Sequence, residues 1–115
     1  MVKRNLDHPE VKMTRYWAHD GGVAHMILDT RHLQTVMFLA HASVQPGKTL
    51  AGHVDPMEEI YIIQKGHCRM QVEDDISEAG PGDAIHIPVG HYHELTNTGD
   101  EELTILVVAG LIPGD

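Results

Sequence analysis

Two histidines and two carboxylic acids in this sequence have the residue types and the spacing of metal ligands. One residue separates His53 from Asp55, so both side chains point to the same face of an extended segment. Glu59 begins the next strand after Pro56 has turned the chain, and His93 lies near the start of another strand. Imidazole and carboxylate ligands from separate strands are what a divalent transition metal requires. The pattern therefore indicates a metal site inside a β-structure.

Two further side chains are candidates for moving a proton beside such a site. Strand alternation places Tyr61 on the face of Glu59 and His91 on the face of His93. We therefore predict Tyr61 and His91 as catalytic residues. Core packing is the competing interpretation of Tyr61. For His91 the competing interpretation is an ordinary surface position after a turn.

Short apolar runs separated by turn residues are the elements that must position these groups. No stretch carries a sustained helical period. Gly, Pro and Asp interrupt the runs, as in Gly80–Asp83 and Pro88–Gly90. Such spacing predicts an all-β sandwich or barrel. The predicted strands are Ala24–Leu28, Gln34–Gln45, Glu58–Lys65, Cys68–Glu73, Ala84–Pro88, His91–Asn97 and Leu103–Ala109.

Length and composition limit the partners and the compartment. The 115 residues suffice for one domain, which we place at 23–115, with residues 1–22 as either an N-terminal arm or an extra strand packed on the barrel. The net charge of −9 disfavours nucleic acid and anionic membranes, so a small molecule is the expected partner. Cys68 is the only cysteine, and the first residues lack the apolar segment of a secretion signal. We therefore expect a cytoplasmic protein.

Ten spaced positions resemble the motifs of a known family. They are Gly47, His53, Asp55, Glu59 and Gly66 in a first set, and Gly82, Pro88, Gly90, His93 and Asn97 in a second. The two sets follow the cupin motifs G-x5-H-x-H-x3,4-E-x6-G and G-x5-P-x-G-x2-H-x3-N with every interval intact. The chain therefore resembles a single-domain small cupin. The one departure is Asp55, which stands where the family usually has histidine.

The resemblance implies a cupin double-stranded β-helix, or jelly-roll barrel, with one divalent transition metal inside. His53, Glu59 and His93 would bind the ion, which is Mn, Fe, Ni, Zn or Cu. Asp55 is a fourth candidate, either a direct ligand or a residue placed behind the ligands. If it binds directly, two carboxylates neutralise the ion, which favours orienting a chelating substrate over activating water. The motif glycines would serve turns that need positive φ or close approach, and Asn97 would be structural.

Two classes of function fit such a protein. The first is metal-dependent oxidation, decarboxylation, lyase or isomerase chemistry on a small carboxylate or enol-like molecule, with Tyr61 or His91 moving a proton. The second is a non-catalytic metal or small-ligand binding module. An oxoglutarate-dependent oxygenase is disfavoured, because no Lys or Arg follows Arg69 to hold the oxoglutarate carboxylate. Similar cupins dimerise, so a homodimer is expected.

Overall fold

Two antiparallel sheets, of six strands and of four, form the body of the protein in a computed structural model that describes residues 1–18 and 21–110. Their inner faces share one apolar core, to which both sheets contribute. This is a jelly-roll barrel, and it confirms the predicted all-β fold class. The elements are α1 (Pro9–Lys12), β1 (Tyr16–Ala18), β2 (Gly22–Leu28), β3 (Val36–Val44), β4 (Thr49–Val54), β5 (Glu59–Lys65), β6 (Cys68–Val72), β7 (Asp75–Ala79), β8 (Ala84–Ile87), β9 (Tyr92–Asn97) and β10 (Leu103–Gly110).

The strand order brings distant parts of the chain side by side. The larger sheet runs β1-β2-β3-β10-β5-β8, and the smaller runs β4-β9-β6-β7. Residues of β10, which lies between β3 and β5, alternate between buried and half-buried positions. This alternation follows from the two-residue period of a strand with one face against the core. In the smaller sheet, pairing of β4 with β9 joins the two segments that carry the predicted ligands.

All seven predicted strands are present, and their ends differ from the prediction by two residues at most. The predicted set lacks β4, which appears there only as the extended segment of His53 and Asp55. It also lacks β7, because four of the five residues of β7 are exposed and its sequence has no apolar alternation. Such polar composition is typical of an edge strand, which β7 is. Within the N-terminal segment, β1 pairs with β2, so residues 16–18 form an additional strand of the larger sheet.

Asn97 connects three backbone segments at one end of the barrel. Its side-chain nitrogen donates to the carbonyl oxygens of Val44 at 2.8 Å and Glu101 at 2.9 Å. Its side-chain oxygen accepts from the backbone N–H of Gly99 at 2.9 Å. The residue is 1% exposed, and its bond to Val44 is buried, while those to Glu101 and Gly99 are partly buried. The structural role expected for Asn97 is therefore confirmed.

Replacing Asn97 with alanine is expected to lower the free energy of unfolding by about 2–3 kcal/mol, because the three backbone groups lose a buried partner. Urea denaturation measures this change. Thr98→Ala is the matched control, since Thr98 is exposed and its substitution is expected to stay within about 0.5 kcal/mol. A loss below about 1 kcal/mol in Asn97→Ala would mean that other groups replace its hydrogen bonds.

The four motif glycines, Gly47, Gly66, Gly82 and Gly90, all have positive φ, as predicted. Gly66, in the turn between β5 and β6, has a φ of +90°. A Cβ atom there would lie 3.0 Å from the Cα of Leu103 and 3.1 Å from the carbonyl oxygen of Glu102. Backbone conformation and available space therefore both require glycine at this turn.

Membrane crossing by a helix finds no support in the part of the chain that the structure describes, since no helix there has the length and apolar character required. The Cys68 thiol is buried at the start of β6. Burial raises its pKa to about 11, so the thiol stays protonated near neutral pH.

Candidate metal centre

The four predicted ligand residues meet at one place inside the barrel. His53 comes from β4, Asp55 from the loop after it, Glu59 from the start of β5 and His93 from β9. One ligand atom from each residue lies within 4.8 Å of all the others. The Nε2 atom of His53 is 2.9 Å from the Oδ2 atom of Asp55. The Nε2 atom of His93 is 3.7 Å from that same oxygen and 3.4 Å from the Oε1 atom of Glu59.

Both histidines are held in the same way by the backbone. The Nδ1 atom of His53 is 3.1 Å from the carbonyl oxygen of Ala51, and that of His93 is 3.1 Å from the carbonyl oxygen of His91. A carbonyl oxygen only accepts hydrogen bonds, so each Nδ1 atom carries the proton. In the neutral rings the Nε2 lone pairs therefore face the carboxylates. This arrangement is typical of metal-binding histidines.

A bulge in β4 turns His53 towards the interior. In β4, Leu50 and His53 are three positions apart, whereas their partners in β9, Leu95 and His93, are two apart. The register shift between them marks an extra residue in β4. Without it, the odd spacing would place Leu50 and His53 on opposite faces of the strand. Because of the bulge, both side chains line the same cavity.

Burial and mutual charge perturb the ionisation of this cluster. Burial raises the pKa of Glu59 above its ordinary value, in spite of the attraction of nearby His93. Burial disfavours the charged forms of Asp55 and His93 as well, but at both residues the neighbouring groups outweigh the effect of burial on the pKa. Glu59 and His53 lower the pKa of Asp55, while Glu59 and the His91 carbonyl raise the pKa of His93. The charges of Asp55, Glu59 and His93 therefore depend on one another.

Two buried atoms of the cluster form no hydrogen bond with the described residues, namely the Oε1 atom of Glu59 and the Nε2 atom of His93. A buried polar atom without a partner is costly, because it has lost its water without a replacement. Lone pairs on nitrogen and oxygen that face each other also repel, and a cation between them removes both penalties. The donor set of two imidazoles and two carboxylates suits a divalent transition metal. The residues present therefore fit the predicted group.

A cavity of about 250 Å³ adjoins the cluster, and the small side chains of three alanines leave space for it. Ala24, Ala40 and Ala42 are buried and lie on β2 and β3. Ala42 lies opposite Ile105, and Ala40 lies opposite Val107, so small side chains stand beside larger ones in each row across the sheet. The missing side-chain volume leaves a mainly apolar chamber with His53 and Glu59 in its wall, so a small molecule has room beside the cluster.

Tyr61 lines this cavity, next to the cluster. Its ring meets the ring of His93 edge-on, with 5.9 Å between the ring centroids. The side chain is 4% exposed, and burial raises its pKa far above the ordinary value, with the negative charges of Glu59 and Asp55 adding to the rise. The hydroxyl group therefore stays protonated and can donate a hydrogen bond towards the cavity.

His91 takes a different position from the one that strand alternation suggests. It lies just before β9 begins, and its side chain lines a separate cleft of about 730 Å³ between the β6–β7 hairpin and β8. Its backbone carbonyl accepts a hydrogen bond from the Nδ1 atom of His93 in the cluster. Tyr61 thus lies in the wall of the cavity beside the cluster, while the His91 side chain lies in the wall of the other cleft.

Residues that the sequence analysis did not select also shape the cavity. Tyr16 of β1 lines it, opposite Ala24 in the neighbouring strand. The alternation of small residues at Ala40 and Ala42 was visible in the sequence as a signal, since alanine is a poor filler of a strand's inner face. Tyr16 had no such signal, because its place depends on the pairing of β1 with β2.

Comparison with known proteins adds evidence at the level of family. A family model described as "Cupin domain" matches residues 40–109, a range that includes all four residues of the cluster. An uncharacterised protein of Methanocaldococcus jannaschii is 34% identical over 97 residues, which are 83% of this chain and 78% of that protein.

Several solved structures have the same fold. A Cupin 2 conserved barrel domain protein from Salinispora arenicola has a TM-score of 0.78 at 20% identity, over 96% of this chain and 89% of that one. A predicted oxalate decarboxylase from Thermotoga maritima has a TM-score of 0.69 at 24% identity, over 84% and 90%. An oxalate decarboxylase from Lactobacillus farciminis, in a formate complex, has a TM-score of 0.74 at 25% identity, over 86% of this chain and only 31% of that one.

Proposed function

Because the chain belongs to the cupin domain family, we propose that it binds one divalent transition metal and presents it to a small chelating molecule. The proposed ligands are His53, Asp55, Glu59 and His93. The observation that carries the proposal is the convergence of four ligand atoms within 4.8 Å, two of them buried without a hydrogen-bond partner among the described residues. Asp55 is proposed as a direct ligand, because its Oδ2 atom lies within 4 Å of both histidine Nε2 atoms.

The proposed chemistry is oxidation, decarboxylation, lyase or isomerase chemistry on a small carboxylate or enol-like molecule. When bound, the metal supplies a Lewis acid that holds and polarises an oxygen of that molecule. Mostly apolar side chains line the cavity beside the reacting groups, and Tyr61 holds a proton at its hydroxyl there. Oxalate decarboxylases among the structures of the same fold support a small carboxylate as substrate.

Elemental analysis of the purified protein, and of metal-free protein reconstituted with each of Mn, Fe, Ni, Zn and Cu, tests the metal proposal. We expect one equivalent of one of these metals per chain. Asp55→Ala is expected to lose the metal if the carboxylate is a direct ligand. If Asp55 only hydrogen-bonds to the ligands, the variant is expected to retain the metal with weaker affinity. A wild-type protein that stays empty after reconstitution would overturn the proposal.

Tyr61→Phe is expected to lower turnover of the substrate by about 100-fold, because it removes the proton and leaves the ring in place. Substrate affinity, measured by calorimetry, is expected to change by less than about tenfold. His91→Gln provides the comparison, since the sequence pattern also predicts His91 as a proton carrier, whereas in the structure it lines the other cleft. We expect turnover within about threefold of wild type. A large loss of turnover in His91→Gln with little change in Tyr61→Phe would assign the proton transfer to His91.

A second candidate function is a binding module that holds a metal or small ligand without converting it. One observation favours it: with two carboxylates, the site carries no net charge once a divalent ion is bound, so water there is weakly activated. Nuclear magnetic resonance of the metal-loaded protein with small carboxylates and enols distinguishes the two. Consumption of a compound supports an enzyme, and saturable binding without consumption supports the module.

The assembly and the compartment of the protein are further parts of the proposal. We propose a homodimer, which light scattering after size exclusion tests as a mass of twice 12.7 kDa. A cytoplasmic location is consistent with the single cysteine, whose thiol is buried and protonated.

A further inference from the structure

Two tyrosines from different parts of the chain line the cavity beside the cluster. Tyr16 lies directly opposite Ala24 in the β1–β2 pair, and Tyr61 lies opposite Val107 in the β5–β10 pair. Ala24 and Val107 are buried on the inner face of the sheet, and both tyrosines line the same cavity as Glu59. Tyr16 lies outside residues 40–109, the part that the family model matches.

Both tyrosines that line the cavity carry a hydroxyl group that can donate a hydrogen bond, Tyr61 from a buried position and Tyr16 from a half-exposed one. Partial burial raises the pKa of Tyr16, and the charge of Glu59, which lines the same cavity, adds to the rise. The third tyrosine of the chain, Tyr92, has a partner of its own, since its hydroxyl donates to Glu94 at 2.9 Å. Tyr16 and Tyr61 form no such bond with the described residues and can donate to a bound molecule.

The charge of the cavity limits what that molecule can be. All eight lysines and arginines lie in the described ranges, and none of them lines the cavity. Asp55 and Glu59 balance the charge of a divalent ion, so the loaded site has no positive charge left. A ligand with two negative charges would be buried there without a counter-charge, which is strongly unfavourable.

We propose that Tyr16 is a specificity-determining residue, and that the cavity accepts a small chelating molecule with at most one negative charge, such as a hydroxyketone or a 2-hydroxy monocarboxylate. The Tyr16 hydroxyl donates to an oxygen of that molecule, and dicarboxylates such as oxalate are rejected by charge. The cavity of about 250 Å³ limits the ligand to a small molecule. This inference rests on the proposed metal site.

Calorimetric titration of the Ni²⁺-loaded protein with hydroxyacetone, glycolate and oxalate tests the charge rule. Each affinity is divided by the affinity of the same probe for free Ni²⁺, because oxalate chelates the ion strongly without any protein. We expect this ratio to be at least about tenfold higher for hydroxyacetone and glycolate than for oxalate. An equal or higher ratio for oxalate would overturn the proposal.

Tyr16→Phe tests the residue itself. We expect its affinity for hydroxyacetone and glycolate to fall by about tenfold, with one Ni²⁺ per chain retained. Tyr92→Phe is the matched control, since Tyr92 does not line the cavity, and its affinities are expected to be unchanged. Unchanged affinities in Tyr16→Phe would remove Tyr16 from the binding site while leaving the metal proposal intact. A wild-type protein that binds no metal would overturn both proposals together.

Discussion

His93→Ala is expected to lower the affinity of the protein for its divalent metal by at least about 1000-fold. Substitution of a residue that hydrogen-bonds to a metal ligand lowers metal affinity by about 10–100-fold. His93 is itself a proposed ligand, so a larger loss is expected. The residue is 1% exposed, and its Nε2 atom faces Asp55 and Glu59. Its removal leaves two carboxylates with a single histidine, so the ion has lost a nitrogen ligand and the carboxylates repel each other. Competition with a chromogenic chelator measures the affinity.

His91→Ala is the matched control for this substitution. It removes the same side chain two residues earlier, from the wall of the other cleft, and leaves the carbonyl that orients His93 in place. We expect its metal affinity to stay within about threefold of wild type. Circular dichroism establishes that both variants fold. Equal loss of metal in the two variants would show that the affinity depends on the local structure of β9 and not on ligation by His93.

Metal loading is expected to raise the free energy of unfolding by about 4 kcal/mol when free metal exceeds its Kd by 1000-fold, because only the folded chain assembles the four ligands. For a domain of this size, that corresponds to a rise of about 15 °C in the unfolding midpoint. The structure adds a second reason. Glu59 and His93 have buried atoms without hydrogen-bond partners among the described residues, and the bound ion satisfies both.

Differential scanning calorimetry of the metal-free protein, the loaded protein and the loaded protein after addition of EDTA measures this effect. The midpoint is expected to rise on loading and to return after chelation. His93→Ala at the same metal concentration is expected to show a rise of at most about 2 °C, because free metal then no longer exceeds its Kd. A rise of equal size in this variant would mean that the metal stabilises the fold from another site, and the four-residue cluster would then have no special role.

The strands and turns of this protein were largely predictable because they depend on local patterns. Apolar alternation marks β5 and β10, and glycine marks turns with positive φ, as at Gly66. The strand β7 escaped prediction because an exposed edge strand has no apolar face to reveal it. The grouping of His53 with Asp55 in the cluster was also predictable, since a two-residue interval places them on one side of an extended segment.

The sequence by itself determined the all-β class, the turns and the set of four candidate ligands. Tertiary structure alone decided which other side chains surround them. The bulge in β4 shifts the alternation of inward and outward side chains by one residue, so His53 points inward together with Leu50. His91 lies just before β9 begins, and its side chain lines another cleft. The pairing of β1 with β2 brings Tyr16 into the cavity. Local periodicity cannot reveal these positions, because each of them depends on how a strand is paired or where it begins.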